Sequence, residues 1–551
     1  MIQRLHYLGL ILLVGLAACR SADFQVPGEA NEAIQEQDLR THIQTLASDA
    51  FEGRAPASPG EEKTVTYLKT EFEKLGLQPG NGDSYFQEVP LVEITADPHT
   101  ALTVEGKGKT QRFAYGDDVM MWTKRLVDQV DVSGSDMVFV GYGIVAPEYG
   151  WNDYEGLDVK GKTVIILVND PGYATGDTTL FKGRTMTYYG RWTYKFEEAA
   201  RQGAAAAFII HETGPAGYPW DVVRGSWSGP QFTLVNEQNN MDRCAIEGWV
   251  THDTAEKIFE QAGMDLETLE KEALMRGFRG KALGLKASAA LRNRLRKVTS
   301  RNVLALLPGS ERPDEVIIYT AHWDHFGKDP SLEGDQIYNG ALDNATGTAG
   351  LLVLAKAFAR LPQRPRRSIL FLAVTAEEQG LLGSAYYATH PVYSPEKTVA
   401  VINLDGLNIW GPTRDITVVG YGMSELDDYV TWAAERQGRV VRPDPEPEKG
   451  YYYRSDHFSF AKVGIPALYV DAGVEHVTYG KEWMLKKREE YVMERYHKPS
   501  DEYDPGWDLR GAIQDVRLLF DIGYRLVQED TFPNWRPGTE FRALRDAQMA
   551  K

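Results

Sequence analysis

The 551-residue chain has few cysteines and fewer basic than acidic side chains. Its two cysteines, Cys19 and Cys244, are too few for a thiolate-rich zinc site, so any metal must use His, Asp and Glu. The net charge of −18 argues against a general nucleic-acid-binding protein, because phosphate binding depends on an excess of Lys and Arg. Beyond the N-terminal segment no apolar run reaches about 18 residues, so no membrane-spanning helix is expected there.

The N-terminus contains the apolar run LGLILLVGLAA, which is too short for a membrane span and is typical of a signal peptide. The run ends in LAAC, which resembles a bacterial lipobox, whose cysteine is lipidated. We therefore expect a signal peptide over 1–18, a lipid on Cys19 and a polar tether over 19–36. Arg20 favours the outer membrane by the same resemblance. An exported protein is expected, anchored in the cell envelope by lipid alone and facing the periplasm or the cell surface; an ordinary signal peptide is the alternative.

The remaining chain divides by its patterning, and its length favours two or more domains. Residues 37–77 have a largely helical pattern, and we expect 37–110 to form the N-terminal part of the main domain. Residues 111–297 contain short strand-like runs bounded by Gly, Pro, Asn and Asp, which predict a small β-rich insert domain. Residues 298–535 alternate strands with helices, which predicts an α/β fold: a mainly parallel sheet with helices on both faces. Residues 536–551 form a C-terminal tail.

Acidic side chains and imidazoles follow several strands of the 298–535 region. Ligands of such sheets bind outside the carboxyl ends of the strands, so we expect these side chains to converge. So many negative charges on one rim would repel each other without cations among them. Two divalent ions would resolve this, and carboxylates with imidazole fit catalytic zinc. The residues are His322, Asp324, His325, Asp343, Glu377, Glu378 and Asp405.

Five motifs in this order, HWD, GALDNATG, TAEEQGLLGS, INLDG and YHKPSDEYD, resemble a known family. It is the co-catalytic dizinc peptidase family of aminopeptidase Y, glutamate carboxypeptidase and transferrin receptor. The resemblance covers 37–110 and 298–530, and it implies the zinc exopeptidase fold. The β-rich region 111–297 is similar to the protease-associated domain that several members contain as an insert.

The resemblance also implies a metal site with two zinc ions. His322 binds one ion, His497 binds the other, and Asp343 bridges both. Glu378 is a ligand of one of the two ions, and Asp405 is a ligand of the other.

Further roles come from the same resemblance. Asp324 is similar to the aspartate that hydrogen-bonds the ligand histidine, and Glu377 is similar to the general base. Spacing alone does not separate Glu377 from Glu378. Tyr496 is a candidate donor to the oxyanion of the reaction, with a packed tyrosine as the alternative. His325, Asp456 and His457 have no assigned role, and His457 with Asp456 could be mistaken for zinc ligands.

The expected function is an aminopeptidase that releases N-terminal residues from peptide substrates. A dipeptidase or a glutamate-type carboxypeptidase on the same fold is an alternative; an arginine cluster reading a substrate carboxylate would favour carboxypeptidase action, and Arg454 is one candidate. A mono-zinc glutaminyl cyclase and a non-catalytic binding module are further alternatives. Because every implied metal position is filled, hydrolysis by two ions is favoured over both of these.

Overall fold

The computed structural model describes residues 24–97 and 100–550. Two sheets are connected by one long strand, Lys281–Leu307. Its first part, 281–292, pairs within one sheet, and its second part, 293–307, pairs within the other. This strand serves both sheets, and the predicted boundary at 297/298 falls inside it. The predicted boundary at 110/111 also falls inside a strand, Lys109–Ala114.

The first sheet contains the metal-site motifs. Four parallel strands form its centre, in the order Arg367–Val374, Arg312–His322, Thr398–Asn403 and Ala467–Ala472. Antiparallel pairing extends the sheet on both sides, so the predicted mainly parallel α/β arrangement is confirmed for the central strands. The flanking strands are Gln78–Pro79, Phe86–Ala96, Pro230–Leu234, Asp415–Val419 and Val440–Pro443.

Helices cover both faces of this sheet, as the sequence predicts. Successive side chains of a strand point to opposite faces. Ile317 and Tyr319 therefore pack in one core, and Val316 and Ile318 pack in another. The helices of this part are Gly28–Glu32, Glu36–Leu46, Pro59–Lys74, Thr346–Ala359, Leu382–Thr389, Leu426–Arg436, His457–Lys462, Gly480–Glu494, Arg510–Gln528 and Arg542–Met549.

The second sheet lies in the insert. Its middle strands, Gln129–Phe139, Thr163–Leu167, Ala206–His211 and Ile246–Thr251, are parallel, and the others run antiparallel to their neighbours. Those others are Ala101–Gly106, Lys109–Ala114 and Val119–Trp122. The helices of the insert are Pro171–Thr175, Trp192–Arg201, Thr213–Ala216, Trp220–Ser226, His252–Ala262 and Leu266–Ala273. Cys244 is a buried free thiol in its core.

A large cleft of about 2560 Å³ lies between the insert and the first sheet, and both contribute lining residues. The two parts touch beside it. Met186 N donates to the Pro447 carbonyl at 3.1 Å, and the Tyr188 ring lies 5.3 Å from the Phe458 ring. The insert therefore forms one wall of the space into which the carboxyl ends of the central strands open.

The predicted signal peptide, Cys19 and the first residues of the tether lie outside the described residues. Within 24–97 and 100–550, no helix has both the length and the apolar character needed to cross a membrane.

Candidate metal centre

The ends of the central strands bring the predicted acids and imidazoles together. His322 is the last residue of Arg312–His322, and Asp405 follows shortly after Thr398–Asn403. Asp343 lies in the turn Ala341–Ala345, directly before the helix Thr346–Ala359. This placement follows from the parallel arrangement, in which carboxyl ends meet at one edge.

Asp343 lies between two histidines that are far apart in the sequence. Its Oδ1 is 3.2 Å from His322 Nε2, and its Oδ2 is 3.3 Å from His497 Nε2. Each histidine also faces a second carboxylate. Asp405 Oδ1 is 3.2 Å from His322 Nε2, and Glu378 Oε2 is 3.2 Å from His497 Nε2. The result is two groups of donors that share Asp343.

The spacing of these donors fits zinc. Zinc ligands lie about 2.0–2.2 Å from the ion in a tetrahedron, so two ligand atoms are about 3.3 Å apart. The separations of 3.2 and 3.3 Å match that edge. They are longer than the usual N–H···O hydrogen bond of about 2.9–3.0 Å. Imidazole and carboxylate donors without thiolate are also what a catalytic zinc site uses.

Neighbouring polar groups fix which oxygen of each carboxylate faces its histidine. Ser455 Oγ donates to Asp405 Oδ2 at 2.5 Å, which leaves Oδ1 for His322. His325 Nδ1 lies 2.5 Å from Glu378 Oε1, which leaves Oε2 for His497. Such outer partners orient metal ligands. The structure thus places His325, which the sequence left without a role, against a predicted zinc ligand.

Asp324 is placed differently from the expectation. His322 Nδ1 lies 3.2 Å from the backbone carbonyl of Asp324 and 3.9 Å from its Oδ1. The carboxylate Oδ1 instead accepts a hydrogen bond from Glu377 N at 3.0 Å. The main-chain carbonyl of Asp324, rather than its carboxylate, is therefore the hydrogen-bond partner of His322 Nδ1. Burial raises the pKa of Asp324 to about 7.

Glu377 lies beside the two groups of donors and lines the cleft. Its Oε2 is 3.9 Å from His322 Nε2, which is further than the shared carboxylates. Burial raises the pKa of Glu377 well above its usual range, and the Glu378 and Asp405 carboxylates raise it further. Glu377 also forms a group with His322 and Asp405 that could hold a metal ion. Because it lies further from His322 than Asp343 and Asp405 do, it is suited to accept and return a proton.

Arg54 supports the loops of the site, and sequence reasoning did not identify it. Its guanidinium is buried and donates to four backbone carbonyls: Leu46 and Asn339 from Nη1, Gly340 from Nη2 and Trp323 from Nε. Burial lowers the pKa of Arg54 to about 10. The sequence predicts only a loop for the segment FEGRAPASPG, which contains Arg54. Because every residue type has a backbone carbonyl, the acceptors of Arg54 cannot be recognised from the sequence.

Asp501 supports the turn that carries Asp343. Its carboxylate accepts from Leu342 N and Asp343 N, each at 3.1 Å, and from Tyr491 OH at 3.2 Å. The residue is 1% exposed. The sequence signal for this role was the position of Asp501 in YHKPSDEYD, the motif that also contains the predicted ligand His497.

The remaining candidates lie around the metal centre. The Tyr496 ring stacks on the His497 ring with centroids 3.7 Å apart, and Tyr496 lines the cleft. Asp456 and His457 are fully buried. The His457 ring lies 4.8 Å from the Tyr452 ring, in an aromatic cluster. In the described part of the chain, neither residue belongs to a group of side chains placed to hold a metal ion.

Residues 302–520 match the model of peptidase family M28. The matched segment contains all five predicted metal ligands. Curated relatives match shorter stretches of the chain. Aminopeptidase NAALADL1 of Mus musculus is 36% identical over 127 residues, which are 22% of this chain and 16% of that protein. The probable zinc metalloprotease Lema_P086240 of Leptosphaeria maculans is 34% identical over 141 residues, 24% of this chain and 32% of that protein.

A solved structure shares its fold with nearly the whole chain. An aminopeptidase from Aneurinibacillus sp. strain AM-1 superposes with a TM-score of 0.53 at 19% identity, covering 92% of this chain and 97% of that one. At this identity the likeness shows a shared fold alone. The chain matches only 16% and 32% of the length of the mouse and fungal relatives.

Proposed function

We propose that this protein is a zinc-dependent aminopeptidase that holds two zinc ions. The observation that carries the proposal is the sharing of Asp343 between His322 and His497 at 3.2 and 3.3 Å. The M28 match of residues 302–520 and the relatives named as an aminopeptidase and a zinc metalloprotease support it.

Each zinc ion would have its own histidine and carboxylate. His322 and Asp405 would hold one ion, His497 and Glu378 would hold the other, and Asp343 would bind both. Zinc ions bound there lower the pKa of a water molecule and polarise the peptide carbonyl.

Two residues of the chain would act on the reacting groups. Glu377 would accept the proton of the attacking water and deliver it to the leaving amine, because it lies beside His322 at a longer distance than Asp343 and Asp405. Tyr496, which stacks on His497 and lines the cleft, is the candidate to donate a hydrogen bond to the oxyanion.

The activity is tested with purified, zinc-loaded protein and matched substrates. Aminoacyl amides with a free N-terminus should be hydrolysed, and their N-acetylated counterparts should not. Equal cleavage of the blocked and free substrates would exclude an aminopeptidase. Metal analysis of the same sample should give about two zinc ions per chain, whereas one firmly held ion would favour the glutaminyl cyclase alternative.

We also propose that the protein is exported and anchored by a lipid on Cys19. The apolar run that ends in LAAC supports this. Cells that express the protein should incorporate labelled palmitate into it, and Cys19→Ala should abolish the label. Label that persists in Cys19→Ala would exclude this anchor.

The insert is proposed to act as a protease-associated domain that closes one side of the cleft. Its residues Arg191, Trp192 and Tyr218 line the same space as Glu377. A substrate in the cleft would therefore contact the insert as well as the metal centre.

A further inference from the structure

One arginine of the insert is buried without a partner for its charge. Arg191 is 7% exposed, and its Nε has no hydrogen-bond partner among the described residues. Its closest aromatic contact is the Trp192 ring, 5.6 Å away. Burial and, to a lesser extent, the charge of Arg454 lower the pKa of Arg191 to about 10. A buried cation without an anion is unfavourable, so this position is suited to receive one.

A second arginine, Arg454, lines the same cleft and belongs to the part of the chain that contains the metal centre. Arg454 Nε is also buried without a hydrogen-bond partner in the described chain. Its guanidinium lies 5.3 Å from the Tyr218 ring and 5.3 Å from the Tyr451 ring, and Nη2 reaches the Ala216 carbonyl at 3.4 Å. The aromatic rings hold the planar group in place and leave its donors without a carboxylate.

Other arginines that line the cleft are neutralised, which sets these two apart. Each of the others forms an ion pair with a carboxylate of the chain: Arg243 with Glu247, Arg296 with Glu93 and Arg488 with Asp471.

Nearby acidic side chains do not supply the missing charge. Glu197 accepts from Tyr188 OH at 2.8 Å and lies 3.9 Å from Lys462 Nζ. Glu446 pairs with Lys449 at 2.6 Å.

We propose that Arg191 and Arg454 together bind a carboxylate of the peptide substrate. The proposal rests on the peptidase function proposed above, since both arginines line the cleft that contains Asp343, Glu377 and His497. Two guanidinium groups suit a carboxylate because each presents planar, paired donors. A peptide offers that group either as its C-terminal α-carboxylate or as an acidic side chain.

The consequence is a preference for substrates that carry a carboxylate. A short free peptide would place its C-terminal carboxylate in the cleft with the scissile bond, whereas an amide or a long chain would leave both arginines uncompensated. This would make dipeptides and other short free peptides the preferred substrates, with specificity that depends on the insert as well as on the metal-binding part.

The test compares three substrates on the zinc-loaded enzyme: alanyl-alanine, alanyl-alanine amide and alanyl-glutamate amide. We expect kcat/KM for alanyl-alanine to exceed that for its amide by about tenfold or more, as expected for a charge-assisted hydrogen bond. Alanyl-glutamate amide identifies the source of the carboxylate: recovery of the high value assigns the side chain, and a low value assigns the C-terminus.

Three variants test the residues. Arg191→Gln and Arg454→Gln, made singly, should each bring the ratio of kcat/KM for alanyl-alanine to kcat/KM for its amide toward one. The change should come mainly from a higher KM for alanyl-alanine. Arg296→Gln is the matched control, because Arg296 lines the cleft but is paired with Glu93, and it should keep the wild-type ratio. The melting temperature of Arg191→Gln should not fall, because the change removes an unpaired buried charge.

Several results would overturn the proposal. One is a wild-type ratio near one with neither acidic substrate preferred. Another is a ratio of kcat/KM for the acid to kcat/KM for the amide that stays at the wild-type value in both folded arginine variants. A third is a large loss of melting temperature in Arg191→Gln, which would show a structural role instead. If no substrate is hydrolysed, including the neutral amide, the peptidase function itself fails. Hydrolysis of the amide without a preference for the acid overturns only the carboxylate site.

Discussion

His325 Nδ1 lies 2.5 Å from Glu378 Oε1, so one oxygen of this carboxylate is occupied and the other faces His497. Both side chains are buried, which makes the contact strong and the orientation fixed. His325 follows the HWD motif directly, so the segment that contains one proposed ligand, His322, also orients another proposed ligand, Glu378, on the other side of Asp343.

Replacement of His325 should weaken zinc binding on one side only. His325→Asn releases Glu378, so the affinity of the His497 side should fall about 10–100-fold while the His322 side is retained. Competition with a zinc chelator measures both affinities. His476→Asn, at a buried histidine outside the two donor groups, is the control. Two unchanged affinities in His325→Asn would refute the positioning role.

Two adjacent glutamates should respond differently to the same substitution. Glu377→Gln removes the proposed general base, so turnover should fall about 10²–10⁴-fold with zinc content unchanged. Glu378→Gln removes a ligand carboxylate, so zinc should be lost from the His497 side. Turnover and metal content measured on both variants separate the roles. Near-normal turnover in Glu377→Gln would refute the assignment.

Arg54 should contribute strongly to stability. Arg54→Met leaves four buried carbonyls without their charged donor, so the free energy of unfolding should fall by about 3–5 kcal/mol. Urea denaturation measures this value. Arg294→Met, at an exposed position, should change it by less than about 0.5 kcal/mol. Equal values for the two variants would show that the carbonyl contacts do not stabilise the fold.

Strand ends made much of the site predictable. His322, Glu377 and Asp405 each follow an apolar strand, and parallel strands present such residues at one edge. The assignment of His497 needed the family resemblance, because it follows a helix rather than a strand. Both histidines beside Asp343 were predicted. The contact between His322 and the Asp324 carbonyl depends on the backbone conformation after the strand, which residue spacing does not reveal.

Support from distant segments was not predictable. Arg54 donates hydrogen bonds to the main-chain carbonyls of Asn339 and Gly340, and any residue type at these positions would offer the same acceptor. Arg191 and Arg454 line one cleft only because the insert folds against the peptidase part. The domain boundaries were also placed by composition, which does not reveal that the strand Lys281–Leu307 continues from one sheet into the other.

The buried ring of His457 should make the fold sensitive to acid. Burial lowers its pKa to about 3, whereas an unfolded histidine titrates near 6.5. Between these values the unfolded chain binds the extra proton, so stability is full above pH 6.5 and declines as the pH falls. The expected loss from this residue at pH 5 is about 2 kcal/mol.

His457→Phe should remove that part of the pH dependence. Urea denaturation at pH 7.5 and pH 5.0 gives the difference in unfolding free energy, which should shrink by about 2 kcal/mol in the variant. His390→Phe, at an exposed position, serves as the control. The same difference in wild type and His457→Phe would show that His457 is not the group responsible.

Anomalous X-ray diffraction at the zinc absorption edge, from crystals of the zinc-loaded protein, tests the central claim most directly. The account predicts two peaks on either side of the Asp343 carboxylate, about 3.5–4 Å apart. One should lie beside His322 and Asp405, and the other beside His497 and Glu378. A single peak, or peaks away from these residues, would contradict a metal centre shared through Asp343.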